Sequence, residues 1–197
     1  MTKGRIGRTI SLSKCSKQIA ERNSMEYRFY PHAGKSGYDA DIQALLTLAD
    51  KEFIPPLSQR GSSTQASLSG GQSHDGIRDY YASMASQPVI LAIEDGKCLG
   101  FMAFKEDHTC DQITPEYLPN LYASTCVVHP STRGKGLMKQ FYREMIALAP
   151  DRWICTRTWH TNAAHLHILD TLGFSCIARL KDHRGPGMDT VYYARKP

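Results

Sequence analysis

The sequence predicts an α/β fold in which helices flank a mixed, largely antiparallel sheet. Three observations lead to this prediction. Strand-like and helix-like runs follow one another in the order β-α-α-β-β-β-α-β-α-β-β. A glycine-rich turn at residues 131–136 follows a strand-like run and leads at once into a helix-like run. The chain of 197 residues is long enough to bury one good core.

The first half of the chain is predicted to contain a strand, two helices and a hairpin. Residues 27–31 form the strand, and Asp39 is expected to cap the first helix. Apolar residues at helical spacing support that helix: Ile42, Leu45, Leu46 and Ala49. The second helix covers residues 77–84, and the hairpin covers residues 89–104 with an Asp-Gly turn.

The segment between these two helices, residues 58–76, is rich in Ser, Gly and Gln and holds little that could be buried. Connections of this length are uncommon in compact domains. We therefore expect a functional or disordered loop in this segment.

The second half is predicted to contain four strands and two helices, without an internal repeat. The strands cover residues 121–128, 153–158, 174–180 and 190–194, and the helices cover residues 136–148 and 162–171.

The net charge of +5 is concentrated at the amino terminus. Residues 1–24 contain six basic residues and one acidic residue, whereas residues 25–197 contain 18 of each. We therefore divide the chain into a basic, disordered extension over residues 1–24 and a neutral domain over residues 25–197. A targeting peptide or a nucleic-acid-binding arm is a lower-ranked alternative for the extension. Nucleic acid is not an expected partner, because a neutral domain offers no strong field for a charged polymer.

The six cysteines are scattered, and none belongs to a Cys-x-x-Cys pair. This spacing indicates neither a zinc site nor a disulfide framework, so no metal is expected. No apolar run has the length of a membrane span, so no membrane partner is expected either. A reducing, cytoplasmic location fits these features.

The glycine-rich turn indicates a site for a diphosphate. Arg133, Gly134, Lys135 and Gly136 are expected to present unpaired backbone N–H groups beside the positive end of the following helix. Glycine at two of these positions lets the backbone approach an anion closely. The turn therefore predicts a diphosphate-bearing ligand.

Two motifs at the right separation resemble those of the GNAT superfamily of acyl-CoA-dependent N-acyltransferases. The family's pyrophosphate turn, Arg/Gln-x-x-Gly-x-Gly/Ala, is matched by residues 131–136, with Ser131 at the position where Arg or Gln is usual. The second motif is an asparagine separated by ten residues from Gly-Phe, and it is matched by Asn162 and Gly173-Phe174. The resemblance covers roughly residues 26–195.

The resemblance implies the GNAT fold, acetyl-CoA as the co-substrate, and a cleft between the strand at 121–128 and the strand at 153–158. Asn162 would contact the pantetheine or cap its own helix, and His165 would reach the nucleotide end of the ligand. The implied cofactor-binding residues are Cys126, Val127, Val128, Arg133, Gly134, Lys135, Gly136, Leu137, Met138, Asn162 and His165.

Acyl transfer to an amine calls for a base, because an alkyl ammonium with a pKa of about 10.4 is protonated at neutral pH. The tyrosine that many members of the family use as an acid is replaced by Leu169, and the usual glutamate on the fourth strand is absent. The candidate catalytic residues are Glu116 and His160 as base, with Asp107 and His108 as alternatives, and Tyr192 as acid, with Tyr193, Tyr142 or a water as alternatives.

The leading hypothesis is an N-acetyltransferase that transfers an acetyl group from acetyl-CoA to a primary amine by direct attack in a ternary complex. The acceptor is a small molecule or a protein amino group, and the protein is a monomer or a homodimer. The absence of both customary catalytic side chains motivates an alternative, a catalytically silent acyl-CoA-binding sensor or interaction module.

Overall fold

The computed structural model describes residues 25–68 and 76–197. The predicted basic extension over residues 1–24 lies outside the described residues, as does the 69–75 part of the predicted loop. The described residues form a seven-stranded sheet and four α-helices. None of these helices is both long enough and apolar enough to cross a membrane.

The sheet is antiparallel except at one position, which confirms the predicted fold class. The strands are β1 (Glu26–Tyr30), β2 (Val89–Glu94), β3 (Lys97–Glu106), β4 (Asn120–Val128), β5 (Trp153–Trp159), β6 (Ser175–Leu180) and β7 (Thr190–Arg195). The helices are α1 (Asp39–Ala49), α2 (Ile77–Met84), α3 (Leu137–Leu148) and α4 (Ala163–Thr171). The strand order is β1-β2-β3-β4-β5-β7-β6, and the parallel pair is β4 with β5.

The helices cover both faces of the sheet. Helices α1 and α2 pack against side chains such as Leu91 and Phe101, whereas α3 and α4 pack against Ile90 and Met102. Successive side chains of a strand point to opposite faces, so neighbouring residues of one strand enter different cores. We call the two sides the α1–α2 face and the α3–α4 face.

Asp39 is the first residue of α1 and not its cap, so that expectation is wrong. Tyr38 occupies the cap position and makes no capping hydrogen bond with its side chain. The Asp39 carboxylate instead accepts a hydrogen bond from the Tyr81 hydroxyl of α2. A carboxylate in the first turn also complements the positive end of the helix.

The loop after α1 is more buried than its composition predicts. Arg60, Ser63 and Leu68 are all buried, so the expectation of little to bury is wrong for residues 58–68. Arg60 can be buried because its guanidinium donates hydrogen bonds to the carbonyl oxygens of Ile54 and Pro55. Local composition gives no signal for such contacts with preceding residues.

Candidate active site

Strands β4 and β5 are paired at one end and separated at the other. Their parallel pairing ends at Ala123 and Thr156, although β4 continues to Val128 and β5 to Trp159. The part of β4 after Ala123 therefore has no strand partner on its β5 side. This separation forms the cleft that the family resemblance implied.

A β-bulge at Ser124 accounts for the separation. Consecutive residues of β3 pair with Ala123 and Thr125, so Ser124 is the additional residue. A bulge bends its strand and increases the local twist, which turns β4 away from β5. The Ser124 hydroxyl oxygen lies 2.6 Å from Oε1 of Gln87 and 3.1 Å from the Ala103 carbonyl oxygen, and these two acceptors share its one proton. These contacts hold the bulge in place.

Backbone polar groups of β4 face this cleft. The N–H of His129 donates to the carbonyl of Leu99 on β3 at 2.8 Å. Backbone groups of alternate residues point to opposite neighbours in an antiparallel pair, so Val127 also faces β3. Cys126 and Val128 therefore face the cleft. Their contact with a pantetheine arm stays a prediction, and this geometry leaves their amides available for it.

The glycine-rich turn lies at the mouth of the cleft. Gly134 and Gly136 have φ angles of +74° and +81°, in the left-handed region that favours glycine. No atom lies within 4 Å of a Cβ built on either residue, so the surface of the turn is open. The amides of Leu137, Met138 and Lys139 begin α3 and have no partner inside the helix. Together these features form an open surface whose backbone donors suit an anion, and anion binding there stays a prediction.

Two of the four amides expected to be unpaired in this turn are bonded. The N–H of Arg133 donates to the Pro130 carbonyl at 3.3 Å, and the N–H of Lys135 donates to the Thr132 carbonyl at 3.4 Å. The turn at 130–132 has 3₁₀ geometry, which brings these carbonyls within reach. The amides of the two glycines have no partner among the described residues and remain available.

Arg133 is ion-paired at the rim of the cavity. Its guanidinium contacts both oxygens of the Glu52 carboxylate, at 2.9 and 2.8 Å. Both side chains are about half exposed. The pair places one cation and one anion beside the glycine turn, so a bound anion would compete with Glu52 for Arg133.

Helix α4 begins at the other side of the cleft. Asn162 caps it, because its side-chain oxygen accepts from the His165 N–H at 3.4 Å and its amide donates to Thr158 at 3.1 Å. The His165 ring points inward, and its Nε2 lies 2.8 Å from the Tyr142 hydroxyl. Burial lowers the pKa of His165 to about 4 and raises the pKa of Tyr142. Both groups are therefore neutral at pH 7, and contact of His165 with the nucleotide stays a prediction.

One cavity of about 660 Å³ joins the cleft, the glycine turn and a cluster of arginines. Part of its wall comes from β4, the turn, α3 and the start of α4, among them Cys126, Val128, Gly134, Gly136, Tyr142, Asn162 and His165. The wall also includes Phe53, Arg60, Arg157, Trp159 and Arg184. Sequence reasoning missed these five residues, because they come from separate segments and belong to no local motif.

The three residues predicted to be catalytic do not line this cavity. Glu116 is exposed and lies before the first residue of β4, whereas the cavity borders the last residues of that strand. Nδ1 of His160 accepts a hydrogen bond from the Asp189 N–H at 3.1 Å. Tyr192 is buried, and its hydroxyl accepts from Arg157 at 3.2 Å. Their catalytic roles stay predictions.

Of the three tyrosines considered as the acid, Tyr142 is the one that lines the cavity. Leu169, at the position where the family often carries tyrosine, is fully buried in the same core as Tyr142. Within residues 25–68 and 76–197, no group of three or more His, Cys, Asp or Glu side chains is arranged to hold a metal ion. The expected absence of a metal stays a prediction.

Comparison with known proteins agrees with this geometry. Residues 50–174 match the model of the acetyltransferase (GNAT) family. The match covers more than half of the chain, so the protein belongs to the GNAT family of acetyltransferases. No curated protein matches the sequence.

Solved structures share the fold at low sequence identity. An N-acetyltransferase from Staphylococcus aureus has 18% identity and a TM-score of 0.61, covering 88% of this chain and 98% of that chain. A structure from Salmonella typhimurium, described as an acetyltransferase with its cofactor acetyl-CoA, has 20% identity and a TM-score of 0.59, covering 88% and 94%. A phosphinothricin acetyltransferase from Sinorhizobium meliloti in complex with acetyl-CoA has 13% identity and a TM-score of 0.59, covering 87% of each chain. These likenesses concern the fold alone.

Proposed function

We propose that the protein transfers an acetyl group from acetyl-CoA to a primary amine by direct attack in a ternary complex. The observation that carries this proposal is the cleft between β4 and β5, with an open glycine turn at its mouth. Further support comes from the structures of the Salmonella and Sinorhizobium proteins, which contain acetyl-CoA. The acetyl donor supplies an activated thioester, and the protein supplies its position.

The residues around the cavity suit this donor. Backbone groups of Cys126 and Val128 would pair with the pantetheine amides as a neighbouring strand does. The amides of Gly134, Gly136, Leu137 and Met138 would hold the pyrophosphate. Val127, Arg133, Lys135, Asn162 and His165 complete the proposed set. Alignment of the thioester with an amine supplies much of the rate acceleration, because positioning removes an entropic cost.

We assign the acid role to Tyr142 in preference to Tyr192. Tyr142 lines the cavity, and burial raises its pKa, so the phenol keeps its proton. A protonated phenol can donate to the thiolate as the thioester breaks. The demand on this acid is modest, because a thiol has a pKa of about 8.5.

The structure narrows the choice of base less than the choice of acid. Presenting a neutral alkyl amine at pH 7 costs roughly 4–5 kcal/mol, so a proton acceptor is needed. His160 and Glu116 remain candidates that would act through water, since neither lines the cavity.

We also place the reaction in the cytoplasm, and the five described cysteines, which are free, support a reducing compartment. The protein acts as a monomer or a homodimer in this proposal.

The experiment that tests this function combines calorimetry with a thiol-release assay over a panel of primary amines. We expect acetyl-CoA to bind, and free CoA to appear at an enzymatic rate with at least one class of amine. The alternative, a catalytically silent acyl-CoA sensor, is motivated by the absence of the usual acid and base. Leu169 occupies the position of the usual acid. The sensor alternative predicts acetyl-CoA binding without thiol release for any amine. Absence of acetyl-CoA binding would contradict both hypotheses.

A further inference from the structure

We propose that the amine acceptor carries an oxyanion group, a carboxylate or a phosphate, which binds to Arg60, Arg157 and Arg184. This inference rests on the proposed function and specifies its acceptor. The three arginines line the same cavity as the glycine turn. We call them the arginine cluster.

The cluster is assembled from three separate segments. Arg60 lies in the loop after α1, Arg157 lies on β5, and Arg184 lies between β6 and β7. Arg60 and Arg184 are 6% and 8% exposed, so both charged side chains are buried. Folding therefore brings three cations into one cavity wall, although like charges repel there.

Neutral groups surround each guanidinium. Hydrogen bonds run from Arg60 to the carbonyls of Ile54 and Pro55, from Arg157 to the Tyr192 hydroxyl and the Gln65 carbonyl, and from Arg184 to the Thr190 hydroxyl and the Ile54 carbonyl. Arg60 also lies 5.3 Å from the ring centroid of Phe53, and Arg184 lies 5.6 Å from that of Trp159. Carbonyls and aromatic faces stabilise a cation but leave its charge uncompensated.

The absence of a carboxylate within ion-pair distance distinguishes this cluster from other arginines of the chain, although the more distant Asp50 attracts Arg60. Four arginines form ion pairs with Asp or Glu: Arg28, Arg133, Arg152 and Arg179. No ion pair among the described residues includes a member of the arginine cluster. A buried charge without a partner is costly. A bound anion would compensate that charge.

The pKa values of Arg184 and Arg60 agree with uncompensated charge. Burial, with repulsion from Arg60 and Arg157, lowers the pKa of Arg184 to about 9. Burial also lowers the pKa of Arg60. Arg157 does not follow this trend: burial lowers its pKa, but Tyr122, Tyr192 with its hydrogen bond, and Cys110 together raise it by more.

Donors remain for a ligand. Arg157 Nε and Arg184 Nη2 make no hydrogen bond to any residue that the structure describes. In the described residues no fully inaccessible side-chain nitrogen or oxygen lacks a partner, so these two nitrogens are reached by solvent. The planar donor fork of arginine matches carboxylate and phosphate oxygens.

Arg157 and helix α3, which follows the glycine turn, lie on opposite faces of the sheet. Ile154 of β5 belongs to the core of the α3–α4 face, and side chains alternate, so Arg157 points to the α1–α2 face. Its contact with Gln65, in the loop after α1, agrees with that direction. The acetyl donor would thus enter from the α3–α4 face. The acceptor would be held on the α1–α2 face, with its amine in the gap between β4 and β5.

The test compares amines that differ in the anionic group. Thiol release by the full chain is measured with the twenty standard amino acids and their methyl esters, and with phosphoethanolamine and ethanolamine. We expect kcat/KM to be between about tenfold and a hundredfold higher for the acid or the phosphate than for its neutral counterpart. A larger ratio of kcat/KM between amino acids and their esters identifies a carboxylate as the bound group. A larger ratio between phosphoethanolamine and ethanolamine identifies a phosphate. Equal or better turnover of the neutral amines overturns the inference, as does acetyl-CoA binding without turnover of any anionic amine.

Variants separate this inference from the proposed function. Arg184→Gln and Arg157→Gln should each raise KM for the anionic amine by about tenfold or more and leave acetyl-CoA affinity unchanged. Arg28→Gln is the matched control, because Arg28 is exposed and paired with Glu26. It should change neither quantity. If the wild-type protein fails to bind acetyl-CoA, the proposed function fails; if it binds and Arg184→Gln and Arg157→Gln keep the wild-type KM, the inference alone fails.

Discussion

Arg60 and Arg184 donate hydrogen bonds to the same atom, the carbonyl oxygen of Ile54, at 3.1 and 2.6 Å. Two guanidinium groups are therefore held around one neutral acceptor inside the domain. Coulomb repulsion between them is weakly screened there, because water is largely excluded. The shared carbonyl fixes the loop after α1 against the segment between β6 and β7, and it positions one wall of the cavity.

This arrangement predicts energetic coupling between the two arginines. The double variant Arg60→Gln/Arg184→Gln should have a free energy of unfolding lower by roughly 0.5–3 kcal/mol than the value obtained by adding the changes in the two single variants. Either substitution made first relieves the repulsion between the two guanidinium groups and leaves the Ile54 carbonyl with one arginine donor. The second substitution relieves no further repulsion and removes that remaining donor. Urea denaturation of the four proteins measures the coupling. The cycle of Arg28→Gln with Arg184→Gln should be additive, and equal additivity in both cycles would contradict the prediction.

Glu52 is predicted to weaken acetyl-CoA binding. Its carboxylate holds Arg133 and lies beside the turn where the pyrophosphate is expected. Glu52→Gln removes a competing anion, so acetyl-CoA affinity should rise by up to about fivefold, the range of a surface ion pair. Calorimetry in low salt measures this change. The same substitution in an Arg133→Gln background should have a smaller effect, and a loss of affinity in Glu52→Gln would count against the proposed site.

Tyr142 is predicted to contribute to both stability and rate. Tyr142→Phe removes the partner of His165 Nε2, so the free energy of unfolding should fall by about 1–3 kcal/mol. If the phenol protonates the thiolate, kcat should also fall by about 10²-fold in a folded variant. Tyr117→Phe is a control, because Tyr117 packs against Trp153 outside the cavity. An unchanged kcat in folded Tyr142→Phe would remove Tyr142 from the mechanism.

His165 is predicted to make the protein less stable in acid. Burial lowers its folded-state pKa to about 4, below the unfolded value of about 6.5. The unfolded chain therefore binds more protons between these values, and the free energy of unfolding falls as pH drops from about 6.5 to 4. The contribution of this residue is about 3 kcal/mol. Denaturation at pH 7 and pH 4 should show a smaller pH effect in His165→Gln than in the wild type. The exposed-histidine control His32→Gln should behave like the wild type.

The order of elements and the glycine turn could be predicted because their signals are local. Apolar spacing indicates a helix within one or two turns of chain, and Gly134 and Gly136 lie three residues or fewer from the start of α3. The bulge at Ser124 has no such signal. It is an additional residue in the pairing of β4 with β3, so it depends on a partner strand.

The arginine cluster could not be predicted for the same reason. Arg60, Arg157 and Arg184 are separated by long stretches of sequence, and each one alone is typical of an exposed polar position. Burial became possible because Ile54 and Pro55 offer carbonyls to Arg60 after the chain turns back. Leu169 shows what the sequence could and could not reveal about the acid. The sequence indicates that the usual tyrosine is missing at this position. The position of Tyr142 in the same core as Leu169 depends on the packing of α3 against α4, which the sequence does not show.

Calorimetric titration of acetyl-CoA into wild-type protein, Gly136→Asp and Gly96→Asp tests the proposed coenzyme A site. Both glycines have positive φ and open space around an added Cβ, so the two variants carry similar backbone strain. The carboxylate at position 136 would face the pyrophosphate, whereas position 96 lies in the turn between β2 and β3. We predict that Gly136→Asp lowers affinity by more than about 100-fold, while Gly96→Asp binds as the wild type does. Wild-type affinity in folded Gly136→Asp would contradict the proposed coenzyme A site.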